Sequence, residues 1–250
     1  MRRLKLFVLK IYWLFLAGMS RLLRQPRFGR RQRLVIRRGI LNYDKQDFFR
    51  FHTVTSYRKS FRREAKALAG KNVSVLDLGG GDGRGFDWVF EGIEGFPGSY
   101  TSLDVRERPS EMRILVADAC KPIVTDERFD VTFTHNALEH MPDPFAVAEN
   151  MYNLLKPGGL VLAKTVFACH HHASPSDYWR FTDEGMRYLY ERMGFVTVEF
   201  GYDITRRRRE KLSGKIPQSM PVIDSQGGWR ELWWVYYIGR KPAAPQNAAD

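Results

Sequence analysis

The 250-residue chain has two cysteines, Cys120 and Cys169, too far apart for a C-x-x-C redox or zinc spacing. So few thiols exclude a disulfide scaffold, and both are expected as reduced thiols in or beside the core of a cytoplasmic protein. A long hydrophobic span is also missing. The most apolar stretch, residues 6–19, is interrupted by Lys10 and followed by no A-x-A-like cleavage site. At about 14 residues it is too short to cross a bilayer, which needs roughly 20, and it does not read as a secretory signal. Acids are scarce in one region only. Residues 1–71 carry 20 Lys and Arg against Asp44, Asp47 and Glu64, while the other 179 residues carry 20 against 25 acids. The net charge of +12 is therefore that of the N-terminal segment. No internal repeat is visible.

What the chain does have is 44% hydrophobic and 14% aromatic residues, enough for a packed core and incompatible with a disordered polymer. Its length suits one α/β domain plus extensions. Placed on a helix, Arg3, Lys10, Arg21 and Arg24 form a narrow basic stripe opposite Leu4, Phe7, Val8, Ile11, Phe15, Met19 and Leu22. That pattern predicts an amphipathic membrane-surface helix over 1–24, followed by a basic helical extension over 25–70. Eight arginines between positions 21 and 38 would add up to about 1 kcal/mol each on an anionic surface. Residues 1–38 are thus expected to meet anionic lipid. The competing readings are a helix packed on the protein's own core or on a second subunit, or a grip on nucleic acid.

From residue 71 onward short apolar runs alternate with helical ones. Strands are expected at 73–78, 100–105, 114–117, 129–134, 160–166, 196–201 and 232–238, with helices at 57–69, 144–155 and 182–193. This alternation predicts a Rossmann-like, seven-stranded, mostly parallel sheet with helices on both faces. The domain should span 71–241, interrupted by a basic loop insertion at 204–231 and followed by a flexible tail at 242–250.

The sharpest motif is D-L-G-G-G-D-G at 77–83, where an apolar strand runs into glycines before a helix. Glycines there permit a tight turn and close approach of a ligand to the backbone. The dinucleotide pattern G-x-G-x-x-G fails in every register, with Arg84, Phe86, Asp82 or Trp88 at a required glycine, and no Gly-Lys-Ser/Thr follows. NAD and ATP are therefore disfavoured.

The segment resembles motif I of the class I S-adenosylmethionine-dependent methyltransferases, in particular the methyltransferase type 11-like members. The resemblance extends in order along the chain: S-L-D-V ending at 105, V-A-D-A at 116–119, H-N-A-L-E-H-M-P-D-P at 135–144, and K-P-G-G at 156–159. It implies S-adenosyl-L-methionine as cofactor, held by Asp77, Gly79, Gly80, Gly81, Asp82, Asp104, Asp118, Ala119 and Asn136. An acid at position 104, 25 residues after Gly79, can accept hydrogen bonds from both ribose hydroxyls. Gly80 departs from the Cys, Ser or Ala of many relatives and is expected to loosen the turn slightly.

On the acceptor side, H-A-S-P-S-D-Y-W-R-F-T at 172–182 resembles a segment of bacterial methyltransferases of polysaccharide or lipid-linked glycan synthesis. Tyr178 and Trp179 could stack on a sugar face, and Arg180 could hold a hydroxyl or phosphate. A structural clasp between Asp177 and Arg180 is the alternative. His172, Asp177 and His140 are candidate bases for an oxygen acceptor, with His172 favoured. No metal is expected. Adjacent side chains of the Cys169–His172 run point alternately, and no second cluster with zinc spacing follows. The sequence therefore points to methyl transfer onto an oxygen of a saccharide or lipid-linked glycan at the cytoplasmic membrane face. Nucleic-acid methylation, or a cofactor-binding scaffold without turnover, are the alternatives.

Overall fold

A computed structural model of the chain describes residues 35–37, 40–42, 53, 55–107, 112–169, 171–173, 175–204 and 233–243. The membrane-helix expectation at 1–24, most of the basic 1–38 segment, the expected insertion at 204–231 beyond its first residue, and the end of the tail lie outside the described residues. The chain forms two compact units, one built from 1–52 with 210–218 and the other from 53–209 with 219–250. In the first, β1 (Val35–Arg37) and β2 (Ile40–Asn42) pair antiparallel. This corrects the expected helical extension over that part of 25–70. Val35, Ile36 and Ile40 are β-branched and favour extended backbone.

The second unit is the predicted doubly wound sheet. Its strands are β3 (Ser74–Leu78), β4 (Ser99–Asp104), β5 (Arg113–Val116), β6 (Phe129–His135), β7 (Leu155–Ala168), β8 (Val196–Ile204) and β9 (Trp233–Arg240). They lie in the order β5-β4-β3-β6-β7-β9-β8. The first five run parallel, and β9 is antiparallel to both its neighbours. Strand β7 begins five residues before the expected position. Its partner on β6 jumps from Phe129↔Leu155 to Val131↔Leu160, so the Lys-Pro-Gly-Gly stretch that reads as a turn bulges within one long strand.

Alternate residues divide the core between the two faces, as the period of a strand requires. Val75, Val131, Phe133, Leu160, Leu162, Tyr236 and Ile238 pack under α1 (Tyr57–Leu68) and α2 (Arg84–Phe90). Helix α1 buries Tyr57, Phe61 and Ala65, one stripe at four-residue spacing. Phe61 meets Phe133 and Tyr236 edge-on, at 6.1 and 6.2 Å between ring centroids. Truncating Phe61 to Ala would cost about 3–5 kcal/mol.

The opposite face is covered by α3 (Pro144–Asn153) and α4 (Asp183–Glu191), which bury Val147, Met151, Met186, Leu189 and Tyr190. Tyr190 stacks on Tyr237 of β9 with centroids 4.7 Å apart. Both helices begin on built caps. Asp143 accepts from the amides of Phe145 and Ala146 ahead of Pro144, and Thr182 accepts from Gly185.

Candidate active site

In a sheet of this order, chain connections leave β3 and β6 in opposite directions, which opens a crevice at their carboxyl ends. The glycine turn after β3 and the 136–141 loop after β6 meet there. Gly79 sits at φ +74, and a Cβ on it would stand 2.6 Å from the Ala137 Cβ and 2.9 Å from the Met141 Cε. Gly81 and Gly83 also have positive φ, and Gly83 opens α2. The motif thus folds as a turn that only glycine fits at its first position.

Asp77, the last-but-one residue of β3, is buried. Its Oδ2 accepts a 2.8 Å bond from the Tyr100 hydroxyl on β4, and its Oδ1 has no hydrogen-bond partner among the described residues. Burial pushes its pKa up to about 7, against the opposing pull of the Tyr100 bond. A Cβ at Gly80 would fall 2.6 Å from the Asp77 Cγ and 2.8 Å from the Tyr100 hydroxyl. The glycine expected to loosen the turn instead makes room for this pair.

Asp104 ends β4 beside the turn, and its Oδ1 accepts from the Arg106 amide at 3.0 Å. Ser102, paired with Asp77 in the sheet, donates its hydroxyl to the Gly81 carbonyl at 3.3 Å. Asp82 is exposed and ion-paired to Arg84 at 2.9 Å. Asp118 caps the turn after β5 through the Cys120 amide and faces Lys121 at 3.3 Å. Ala119 is buried, its carbonyl accepting from Asn150. Asn136 stands at φ 53 at the end of β6, and its Oδ1 accepts from Lys164.

Lys164, absent from the sequence expectations, is a buried cation on β7. Its Nζ lies over the rings of Trp234 at 4.6 Å and Tyr57 at 5.2 Å. Burial pulls its pKa down to about 7, with Glu139 and Asp203 opposing. His135 lies beside it, its Nε2 2.9 Å from the Tyr57 hydroxyl, and burial followed by the charge of Lys164 takes its pKa down to about 3. A lysine inside the apolar run 160–166 was the one sequence signal for this cluster.

The acceptor segment wraps back over the 138–141 turn. Both Tyr178 and Trp179 amides reach the Glu139 carbonyl, and the Trp179 indole donates to the Met141 carbonyl at 3.0 Å. Their rings remain 53% and 40% exposed, open for stacking. Asp177 departs from expectation. Its carboxylate takes both terminal nitrogens of Arg180, at 2.5 and 2.7 Å, and the His172 amide at 2.9 Å. Arg180 foremost holds its pKa far below the ordinary carboxylate range. A carboxylate so paired is a poor base, and an arginine so committed is a poor substrate ligand. The pair is the clasp.

His172 and His140 come together, ring centroids 4.9 Å apart and nearly perpendicular. The His140 Nδ1 is 2.7 Å from the Ser176 carbonyl, which makes that nitrogen the donor. Between the two histidines and the sheet lies Glu139, with no exposed surface.

Comparison with known proteins agrees with this geometry. A family model described as a methyltransferase domain matches residues 48–193. The ubiquinone biosynthesis O-methyltransferase of Pseudomonas entomophila (strain L48) is 30% identical over 139 residues, 50% of this chain and 57% of that enzyme. This chain therefore spans little more than half the length of such relatives. The enzyme of the same name from Pseudomonas aeruginosa (strain LESB58) is 30% identical over 172 residues, 63% and 69% of the two chains. Among solved structures, the 1,6-didemethyltoxoflavin-N1-methyltransferase of Burkholderia thailandensis has a TM-score of 0.50 and 18% identity, covering 80% of this chain and 83% of that one. The [4+2]-cyclase SpnF has a TM-score of 0.51 and 19% identity, covering 74% and 80%. Likenesses this distant speak to the fold alone, and the cyclase shows that one fold hosts other chemistry. With the glycine turn, the acid ending β4 and the family match all on one sheet edge, the chain belongs to the methyltransferase-domain family and has the class I S-adenosylmethionine-dependent methyltransferase fold.

Proposed function

We propose that the chain transfers a methyl group from S-adenosylmethionine to an oxygen atom of a small or lipid-linked acceptor. The observation that carries the reading is the glycine turn at the β3–β6 crevice, flanked by Asp104. The residues fit the cofactor on two counts. Gly79 and Gly81 present bare backbone at positive φ where a ligand can approach, and the buried Asp77 Oδ1 lacks a donor that an ammonium group or a water it binds would supply. Asp104 would hold the ribose hydroxyls and the 118–119 turn would flank the base.

Bound there, S-adenosylmethionine supplies an activated methyl on a sulfonium, so the departing thioether needs no acid. The chain's part is to align the acceptor and exclude water. His172 is the group best placed to take the acceptor proton. It is about one-third exposed at the mouth of the site, whereas Asp177 is locked to Arg180. Tyr178 and Trp179 offer the flat surface that would seat a ring.

The O-methyltransferase names of the relatives favour an oxygen acceptor. The 172–182 segment favours a saccharide or lipid-linked glycan, and the basic 1–38 segment favours an anionic membrane on the cytoplasmic side as the place where it is met. Calorimetric titration of S-adenosylhomocysteine into wild type and Asp104→Ala tests the cofactor half. Saturable binding weakened about 100-fold by the substitution is expected, consistent with loss of about 2–3 kcal/mol from hydrogen bonds to a charged group. No binding to folded wild type would sink the reading. Methyl transfer from labelled cofactor to lipid-linked glycan, phenol and RNA acceptors tests the other half.

A further inference from the structure

Glu139, His140 and His172 each offer one ligand atom, and these atoms lie within 4.8 Å of one another. We propose that they bind one divalent transition-metal ion of the zinc class at the edge of the crevice. Three features separate this cluster from a chance meeting of polar side chains. The Glu139 carboxylate has no exposed surface, its Oε2 accepts a 2.7 Å bond from the Thr165 hydroxyl, and its Oε1 has no hydrogen-bond partner among the described residues. Lys164 acts on Glu139 by charge without pairing with it, so this oxygen of a wholly buried carboxylate is left open, which is costly unless a donor or a cation meets it. That open oxygen points at the His172 Nε2, 4.0 Å away.

The second feature is that every ligand is held from behind. The Ser176 carbonyl fixes the His140 Nδ1 proton, leaving Nε2 with the lone pair. The His172 Nδ1 lies 3.7 Å from the Cys169 Sγ, within hydrogen-bond reach of a sulfur, and 3.6 Å from the Asp177 Oδ2, whose carboxylate is locked by Arg180. Imidazole backed by a carboxylate or a carbonyl is the usual support of a metal-binding histidine. The clasp thereby gains a purpose: it aims His172.

The third is stoichiometric. Two imidazoles and one carboxylate make a three-ligand set that leaves a coordination position open. An ion with bonds of about 2.0–2.1 Å sets its ligands roughly 3.3 Å apart, so closure asks for side-chain movements on the order of 1 Å. An acceptor oxygen that reached that open position would be polarised by the ion. That use rests on the methyl-transfer reading and would replace His172 as the proton acceptor, because the ion would take its Nε2 lone pair. The existence of the site does not rest on that reading.

The test is a titration of the chelator-treated full chain with Co2+, followed by visible absorption and calorimetry, and repeated with Zn2+. One ion per chain is expected, with the intense d–d bands of low-coordinate cobalt. His172→Ala and His140→Ala should each weaken binding at least 100-fold, and His172→Gln should do the same while keeping a polar side chain of similar length. Arg180→Gln, which touches no ligand atom, should weaken it about 10- to 100-fold. The His170→Ala/His171→Ala double variant should bind as wild type. Absence of stoichiometric binding by folded wild type overturns the site. So does binding that survives His172→Ala, or that is lost with His170 and His171. Thermal unfolding certifies each variant's fold without reference to the cofactor, so failure here and failure of homocysteine-adduct binding are separate results.

Discussion

The Tyr100 hydroxyl donates to Asp77 across β4 and β3, in the space that any side chain at position 80 would need. Asp77 keeps one oxygen without a partner among the described residues, and burial raises its pKa to about 7. Removing the hydroxyl with Tyr100→Phe should therefore lower stability by about 1–3 kcal/mol, the cost of stranding a buried acceptor. Urea unfolding at pH 7 reads the difference. A loss below a few tenths of a kcal/mol would mean that the pair is not formed.

Two buried groups should tilt stability against pH in opposite directions. Asp77 has a folded pKa raised to about 7 from 3.8, so the folded state holds its proton longer. Its contribution is full below about pH 4 and is lost as pH rises toward 7. His135 has a folded pKa lowered to about 3 from 6.5, so the unfolded state is the one that binds the proton. Its contribution is full above about pH 6.5 and is lost as pH falls toward 3. Across pH 4–6.5 the two slopes oppose each other. Asp77→Asn should uncover a rise in stability with pH, and His135→Gln a fall, each up to about 1.4 kcal/mol per pH unit. Identical profiles for both variants, followed by chemical denaturation, would refute the assignment.

Glycine substitutions separate the site from the scaffold. Gly79→Ala meets Ala137 and Met141 at a positive φ, whereas Gly158→Ala, at φ +78, meets nothing. The second should cost only the left-handed backbone penalty, about 1–2 kcal/mol, and leave S-adenosylhomocysteine affinity intact. The first should lower affinity by more than 10-fold, as calorimetry would show. Equal effects of the two on affinity would remove the turn from the binding site.

Thr182 closes the acceptor segment by capping α4 through the Gly185 amide at 3.0 Å. Thr182→Ala should lower stability by about 1 kcal/mol, seen in the melting temperature, without altering S-adenosylhomocysteine binding. A large fall in cofactor affinity would mean that α4 takes part in the cofactor site.

The alternation of apolar runs sufficed to place all seven strands of the sheet, because a parallel strand buried on both faces writes a short continuous hydrophobic word. It did not give the antiparallel insertion of β9, since strand direction leaves no mark on side-chain periodicity. The start of β7 was missed because Pro157, Gly158 and Gly159 carry turn chemistry, and a bulge uses the same residues. In the site, the glycine turn and Asp104 were legible as contiguous motifs. The Asn136–Lys164 bond and the Glu139–His140–His172 cluster were not, because their members come from segments some 30 residues apart that only the β6–β7 pairing brings together. For Asp177 the sequence left both base and clasp open, because nothing in it decides whether Arg180 turns both guanidinium nitrogens onto the carboxylate.

Strand β9 is the last element of the sheet to be synthesised, yet it lies between β7 and β8. As the chain emerges from a ribosome, β3 to β7 can assemble in sequence while β8 waits for β9, the strand it pairs with. Residue 240 must leave the exit tunnel before the sheet can close. Closure of the sheet is therefore a single late step of assembly, and a chain cut between β8 and β9 would keep the cofactor turn while leaving one side of β7 unpaired and open to association with other chains.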